Sequence, residues 1–371
     1  MRRLTCLDGL RGVLATYVMV SHLAPFARLP RWLALPLSHG GAAVDVFFVL
    51  SGMVIVRSLD RFGWQARPFL RARMRRIFPV FLVVFALAVA IQPLGLPFAR
   101  MPWISPDSPA RRIWSGGWPA AWAPDLAAHL TMTHGLFPNA VLPYAWVSFL
   151  GAAWSLSTEW QFYALLAGLA ALRGKRGRMG LVPLLLALAL AGALWATLAP
   201  PGWRFSRAFL GNKAQYFALG VASAAWAERA EEARRHALVW YALILGAVLA
   251  LCVLRGGPGQ AAAPLIWFVC LLAERGSLPA LIPLARLLRW RGMRFLGAVS
   301  YPLYLVNEPV QKLLGITLAR LAGGNLGVFV ALWLPAAAGL PVLAAWLLHR
   351  MIERPGGTAG LPGLGSRRGL A

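Results

Sequence analysis

Residues 7–22, LDGLRGVLATYVMVSH, read as a helix-length apolar segment with an Asp–Arg pair at one end and a histidine well inside it. Arg11 and His22 are eleven residues apart, so at 100° per residue they return to within about 20° of one face, about 16 Å apart along the axis. One stripe of one helix therefore carries an arginine at its rim and a histidine near its middle. If the segment crosses a membrane, an ionisable group at that depth is costly and faces a cavity or a partner. His22 is then either a working group or a buried imidazole satisfied by a neighbouring carbonyl.

The rest of the chain supports the membrane reading. Hydrophobic residues make up 59% of its 371 positions and charged residues only 13%, where soluble domains use about 25% charged. Mean hydropathy is +0.63. Apolar runs near the roughly 20 residues that span a bilayer recur at 10–27, 40–57, 77–95, 148–172, 180–199, 210–227, 237–254, 260–274, 295–313 and 326–348. The sequence thus predicts an all-α, polytopic membrane protein of about ten transmembrane helices. Of the 37 Lys and Arg residues, 26 fall on the side that holds the N-terminus and 11 on the other, which places both termini in the cytoplasm by the positive-inside rule. The net charge of +25 is thereby assigned to loops between spans, and no nucleic-acid partner is expected.

The domain expectation is a transmembrane unit over 1–349 and a cytoplasmic, disordered tail over 350–371, PGGTAGLPGLGSRRGLA being its end. The start, MRRLTCLDGLRG, is read as a retained span because no small-residue cleavage site follows the apolar run. Cys6, Cys252 and Cys270 are widely spaced, so neither a disulfide framework nor a metal site is expected. The long connection 96–147, rich in Pro and Trp, reads as a functional or re-entrant cover.

Further polar residues stand in apolar surroundings. Asp45 opens the second span in GGAAVDVFFVLSG and reads as a helix-start charge or as a site carboxylate. FLRARMRRIFP brings Arg73 and Arg76 together at i,i+3 and Arg71 and Arg75 at i,i+4. Two such forks suit a multiply charged anion, and the same charges suit a positive-inside or headgroup anchor. In GAAWSLSTEWQFYALL, Ser155 and Glu159 share a face, and Glu159 needs a partner: His22 or an Arg. GAVSYPLYLVNEPVQK adds Ser300, Tyr301, Asn307 and Glu308 near membrane depth, where helix–helix hydrogen bonding is the simple explanation.

Taken in order, LDGLRG with His22, VDVFFVLSG, the RxxR of Arg73–Arg76 followed by IFP, WSLSTEWQFY and GAVSYPLYL resemble integral-membrane acyltransferase family 3 over residues 7 to about 310. The resemblance implies an O-acyltransferase of the bacterial inner membrane, multi-pass, using acetyl-CoA or another acyl-CoA as co-substrate and no metal. The implied acceptor is a glycan, glycolipid or small hydroxylated molecule at a membrane-lipid surface. It further implies that Arg11 and His22 match the family's Arg-x10-His, that Arg73 and Arg76, with Arg71 and Arg75 beside them, take the CoA phosphates, and that Glu159 is the family's Glu. The chain departs from the pattern at Asn307, where members commonly have His. Many members add a soluble C-terminal domain, and the chain stops at residue 371, so a second transfer step is expected to use a separate protein.

Acyl transfer from a thioester to an alcohol needs a base, an oxyanion stabiliser and a positioned donor. His22 is the expected base, oriented by Glu159 or Asp45 as in a hydrolytic triad. Direct attack and a transient acyl-His both fit these residues. The alternative is a proton-coupled transporter or flippase of an amphipathic metabolite, with His22, Asp45 and Glu159 as a relay.

Overall fold

A computed structural model describes residues 5–354 apart from 109, 112, 113, 230 and 277, and gives no side-chain description for 231–236. Arg2, Arg3 and the expected tail from 355 onward lie outside the described residues. Among these residues the chain is helical with no strand. The α-helices are α1 (Thr5–Leu23), α2 (Arg31–Leu37), α3 (Gly40–Arg61), α4 (Ala66–Ala90) and α5 (Trp122–Leu130), followed by α6 (Trp154–Arg173), α7 (Leu181–Leu198), α8 (Ala214–Ala227) and α9 (Glu231–Gly256). The C-terminal part holds α10 (Ala262–Arg275), α11 (Ile282–Arg289), α12 (Arg291–Ala298), α13 (Ser300–Ala322) and α14 (Leu326–Leu348), with a π-helical turn over His349–Glu353.

Nine of the ten expected segments each fall mainly on one helix of this set, whereas 295–313 straddles α12 and α13. Among the described residues four helical stretches, Arg31–Arg61, Leu181–Leu198, Ala237–Gly256 and Leu326–Glu353, are long and apolar enough to cross a membrane, and the bent pair Pro258–Arg275 with Pro279–Arg289 would be a fifth if it forms one span. The chain is a membrane protein. The helices that fall short of this measure include α1, α4, α6 and α13, which carry Arg11 and His22, the arginines of FLRARMRR, Glu159, and Asn307 with Glu308. Those polar residues lower the hydropathy of helices that turn them toward one another. By contrast the spans of α7 and α9 are only 22% buried and expose Leu190, Leu194, Val239 and Leu243, as a lipid-facing surface requires.

Helix α3 is central, 72% buried within its span, and packs on α8, α1 and α10. Its closest contact depends on paired glycines: a Cβ on Gly52 would lie 2.4 Å from the Phe217 carbonyl oxygen of α8, and one on Gly220 would lie 2.0 Å from the Val49 oxygen. The LDGLRG motif solves the same problem for α1. A Cβ on Gly9 would lie 1.8 Å from the Leu288 oxygen and one on Gly12 2.5 Å from that of Met293, so α11 and α12 cross directly against the α1 backbone. The amphipathic pair α11–α12 thereby fixes the end of α1 that bears Arg11.

Helix α4 starts at Ala66, eleven residues before the expected 77, and runs through Pro79. The basic stretch is thus its own first turns.

Candidate active site

The first turns of α1 and α4 and the last turns of α3 lie at one end of the bundle and enclose a cavity of about 510 Å³. Five arginines line it: Arg11, Arg57, Arg61, Arg73 and Arg76, against the two carboxylates Asp8 and Glu159. Arg73 Nη2 donates to Ser58 Oγ at 3.2 Å. Arg57 also reaches Glu228 at 3.2 Å and Arg76 reaches Glu353 at 3.8 Å. The Nε–H groups of Arg11 and Arg73 are buried with no hydrogen-bond acceptor among the described residues. A buried donor left in that state is costly, and an anion accepting from it removes the cost.

The cavity continues toward the bundle centre along α13, through Ser300, Tyr301 and Tyr304. Tyr301 Oη donates to the Ile77 carbonyl at 2.6 Å, and Ser155 Oγ donates to Tyr304 Oη at 2.9 Å. Glu159 accepts from Ser51 Oγ at 2.6 Å.

His22 is not among the residues that line this cavity. Its Nδ1 meets Asn307 Oδ1 at 2.8 Å, and Asn307 is wholly buried. The Asn307 Nδ2 donates to the Leu303 and Tyr304 carbonyls at 3.0 and 2.7 Å. These two bonds consume the amide protons and leave Oδ1 as a pure acceptor, so His22 Nδ1 must carry the hydrogen. Nε2 is then the unprotonated nitrogen of the neutral ring, with no hydrogen-bond partner among the described residues.

The structure therefore corrects the expected partners of the histidine. His22 is held by Asn307, not by Glu159 or Asp45, because α1 packs on α13. Glu159 faces the arginines instead. Asp45 lines neither cavity described here: it is 3% exposed and its Oδ1 accepts from Lys213 Nζ at 2.6 Å, an ion pair between α3 and α8. Arg71 and Arg75 are exposed on α4 and face away from the cavity, while Arg73 and Arg76 enter it. Arg57 and Arg61, one turn apart at the end of α3, are cavity residues that the sequence had offered only as topological charges. Their i,i+4 spacing beside Ser58 was the available signal.

A second cavity, about 610 Å³, is bordered by Ala88, Ile91 and Gln92 at the C-terminal end of α4 and by Glu308, Pro309 and Lys312 in the middle of α13, with Trp114, Trp118 and Tyr144 from the long connection. Glu308 accepts from the backbone N–H groups of Gly151 at 3.3 Å and Ala152 at 2.9 Å, a carboxylate at the start of the α6 turn. Tyr304 lines the first cavity and Glu308 the second, and they are one helical turn apart on α13. Asn307 lies between these two residues in sequence, and neither it nor His22 lines either cavity.

Behind the second cavity, Asp125, His129 and His134 are fully buried. His129 Nδ1 is 3.2 Å from Asp125 Oδ1, its ring stacks on His134 with centroids 4.1 Å apart, and His134 Nε2 donates to the Ala153 carbonyl at 3.2 Å. Burial, reinforced by the neighbouring His129, holds His134 well below the usual histidine range. No group of three or more His, Cys, Asp or Glu suited to a metal occurs among the described residues.

The acyltransferase domain family model matches residues 4–350. Acyltransferase MdmB of Streptomyces mycarofaciens is 26% identical over 95% of this chain and 91% of its own length. A putative peptidoglycan O-acetyltransferase of Bacillus subtilis (strain 168), YrhL, is 28% identical over 82% of this chain, which spans about half (48%) of that relative. No solved structure matches the chain.

Proposed function

The chain belongs to acyltransferase family 3, and we propose that it moves an acyl group, in the first instance acetyl, from acyl-CoA to a hydroxyl of a glycan, glycolipid or small hydroxylated acceptor. One observation carries this reading: five arginines converge on one cavity, two of them with buried Nε–H groups that lack an acceptor. Coenzyme A brings a diphosphate and a 3′-phosphate, and arginine forks match phosphate oxygens in both charge and geometry. Arg11, Arg57, Arg61, Arg73 and Arg76 hold the phosphates in this reading, and Glu159 balances their charge. The arginine end of the bundle faces the cytoplasm, both termini lie there, and ten helices cross the bacterial inner membrane.

The pantetheine arm extends along Tyr301 and Tyr304 toward His22. His22 Nε2 accepts the proton of the acceptor hydroxyl as its oxygen bonds to the thioester carbonyl carbon. The carbon–sulfur bond then breaks, and the proton passes from Nε2 to the departing sulfur, so the ester and the free thiol form with no net proton change. Asn307 keeps the ring in the tautomer that this transfer requires. Ser155 already donates to Tyr304 Oη, which leaves the phenol proton free to stabilise the oxyanion. Asp45 takes no part in the chemistry.

The test is thiol release from acetyl-CoA by the purified protein offered a panel of glycans, peptidoglycan fragments among them, with His22→Gln beside wild type. Glycan-dependent release that the variant loses while still binding acetyl-CoA supports the reading. Folded wild-type protein that binds no acetyl-CoA ends it.

A further inference from the structure

Lys312 is 6% exposed, lines the second cavity, and has no hydrogen-bond or ion-pair partner among the described residues. Its neighbour one turn back, Glu308, is already engaged by the amides of Gly151 and Ala152. The Lys312 ammonium is thus partly desolvated, with Glu308 as a nearby charge that is shared with two amides and no acceptor in direct contact, an arrangement that an anionic ligand stabilises.

The rest of the cavity is suited to a sugar. Trp118 and Tyr144 are 49% and 53% exposed at its wall, Trp118 also packing edge-to-face with Trp122 and Phe149, and supply aromatic surface suited to the C–H side of a pyranose. Gln92 Nε2 is tied to the Gly117 carbonyl at 2.8 Å, which leaves its Oε1 as an acceptor for a hydroxyl. Tyr144 and Phe149, which bracket one wall, both hold left-handed backbone, φ 57° and 55°, a conformation uncommon for aromatic residues and found where a site is shaped at some local cost. The volume lies within the roughly 300–1,000 Å³ of small-molecule sites.

We propose that this second cavity is the acceptor subsite and that it selects a saccharide carrying an anionic group, carboxylate or phosphate, which Lys312 pairs while Trp118 and Tyr144 stack the ring. The assignment rests on the acyl-transfer reading above, and it places the acceptor beside Glu308, one turn along α13 from the Tyr304 that lines the donor cavity. Lys312 thus sets specificity and stays clear of the reacting atoms.

The experiment measures the rise in thermal-unfolding midpoint of the full-length, detergent-solubilised protein against concentration of three probes: an oligogalacturonate, a phosphorylated malto-oligosaccharide and a neutral galacto-oligosaccharide of equal length. Lys312→Gln, Lys312→Arg and Trp118→Ala are run beside wild type, with the acetyl-CoA response as the check of fold. In wild type, half-saturation by at least one anionic sugar comes at a concentration ten-fold or more below that of the neutral one, and the two anionic probes separate carboxylate from phosphate. Lys312→Gln abolishes the preference, Lys312→Arg retains it, and Trp118→Ala weakens all sugars alike. Equal half-saturation of anionic and neutral sugars, no response to either anionic sugar, or a preference that survives in Lys312→Gln would each overturn the proposal. Absence of an acetyl-CoA response together with a Lys312-dependent sugar response would overturn the acyl-transfer reading alone.

Discussion

Asn307 Oδ1 and His22 Nδ1 meet at 2.8 Å across 285 positions of sequence, and the amide that makes this contact is itself locked by two carbonyls of its own helix. The pair therefore fixes both the orientation and the tautomer of the imidazole.

Replacing Asn307 by Ala removes that lock. We expect kcat for glycan-dependent thiol release to fall about 10- to 100-fold with KM for acetyl-CoA unchanged, in line with the loss of a group that orients a working histidine. A kcat within two-fold of wild type would rule out the contact as the determinant of the base.

The four arginines of FLRARMRR divide between cavity and surface. Arg73→Ala with Arg76→Ala raises KM for acetyl-CoA about ten-fold or more, because hydrogen bonds to charged groups are worth roughly 1.5–3 kcal/mol each. Arg71→Ala with Arg75→Ala leaves it within two-fold. Equal effects from the two double variants, read from initial rates at varied donor concentration, would refute the division.

Asp45 and Lys213 form a buried ion pair, and Asp45 lines neither cavity. Asp45→Asn leaves Lys213 as an uncompensated buried charge, at a cost of about 3–5 kcal/mol. The double variant Asp45→Asn/Lys213→Gln recovers much of the loss. Thermal unfolding and thiol release measured together on the three proteins distinguish this from a catalytic role, for which the double variant would recover stability and remain inactive.

His134 gives the protein a defined acid sensitivity. Its pKa is depressed in the folded state, so below about 6.5 the unfolded chain binds a proton that the native state refuses. Stability is fully present above that pH and falls as pH drops, by up to about 1.4 kcal/mol per unit until the folded-state value is reached. Lowering pH from 7 to 5 should depress the unfolding midpoint, and His134→Gln should flatten that dependence.

The helices were legible because hydropathy reports apolar runs directly. Their edges were less so: α4 begins in arginines, which are good helix formers but carry no apolar signal. The Arg11–His22 stripe was readable from helical period alone, and Ser155 and Glu159, placed on one face by their spacing, do line one cavity. Partners across the bundle were not readable. A carboxylate in an apolar segment announces that it needs a countercharge without saying which, and Asp45 finds Lys213, 168 positions away. Arg57 and Arg61 were hidden for another reason: the charge that orients a span and the charge that binds an anion are the same residue type.

The one-turn separation on α13 has a kinetic consequence. Donor and acceptor held in the two separate cavities, as proposed, can be bound at the same moment, whereas a single cavity makes them take turns. Initial-rate plots should then intersect rather than run parallel, and free CoA should compete with acetyl-CoA while acting as a mixed inhibitor toward the acceptor.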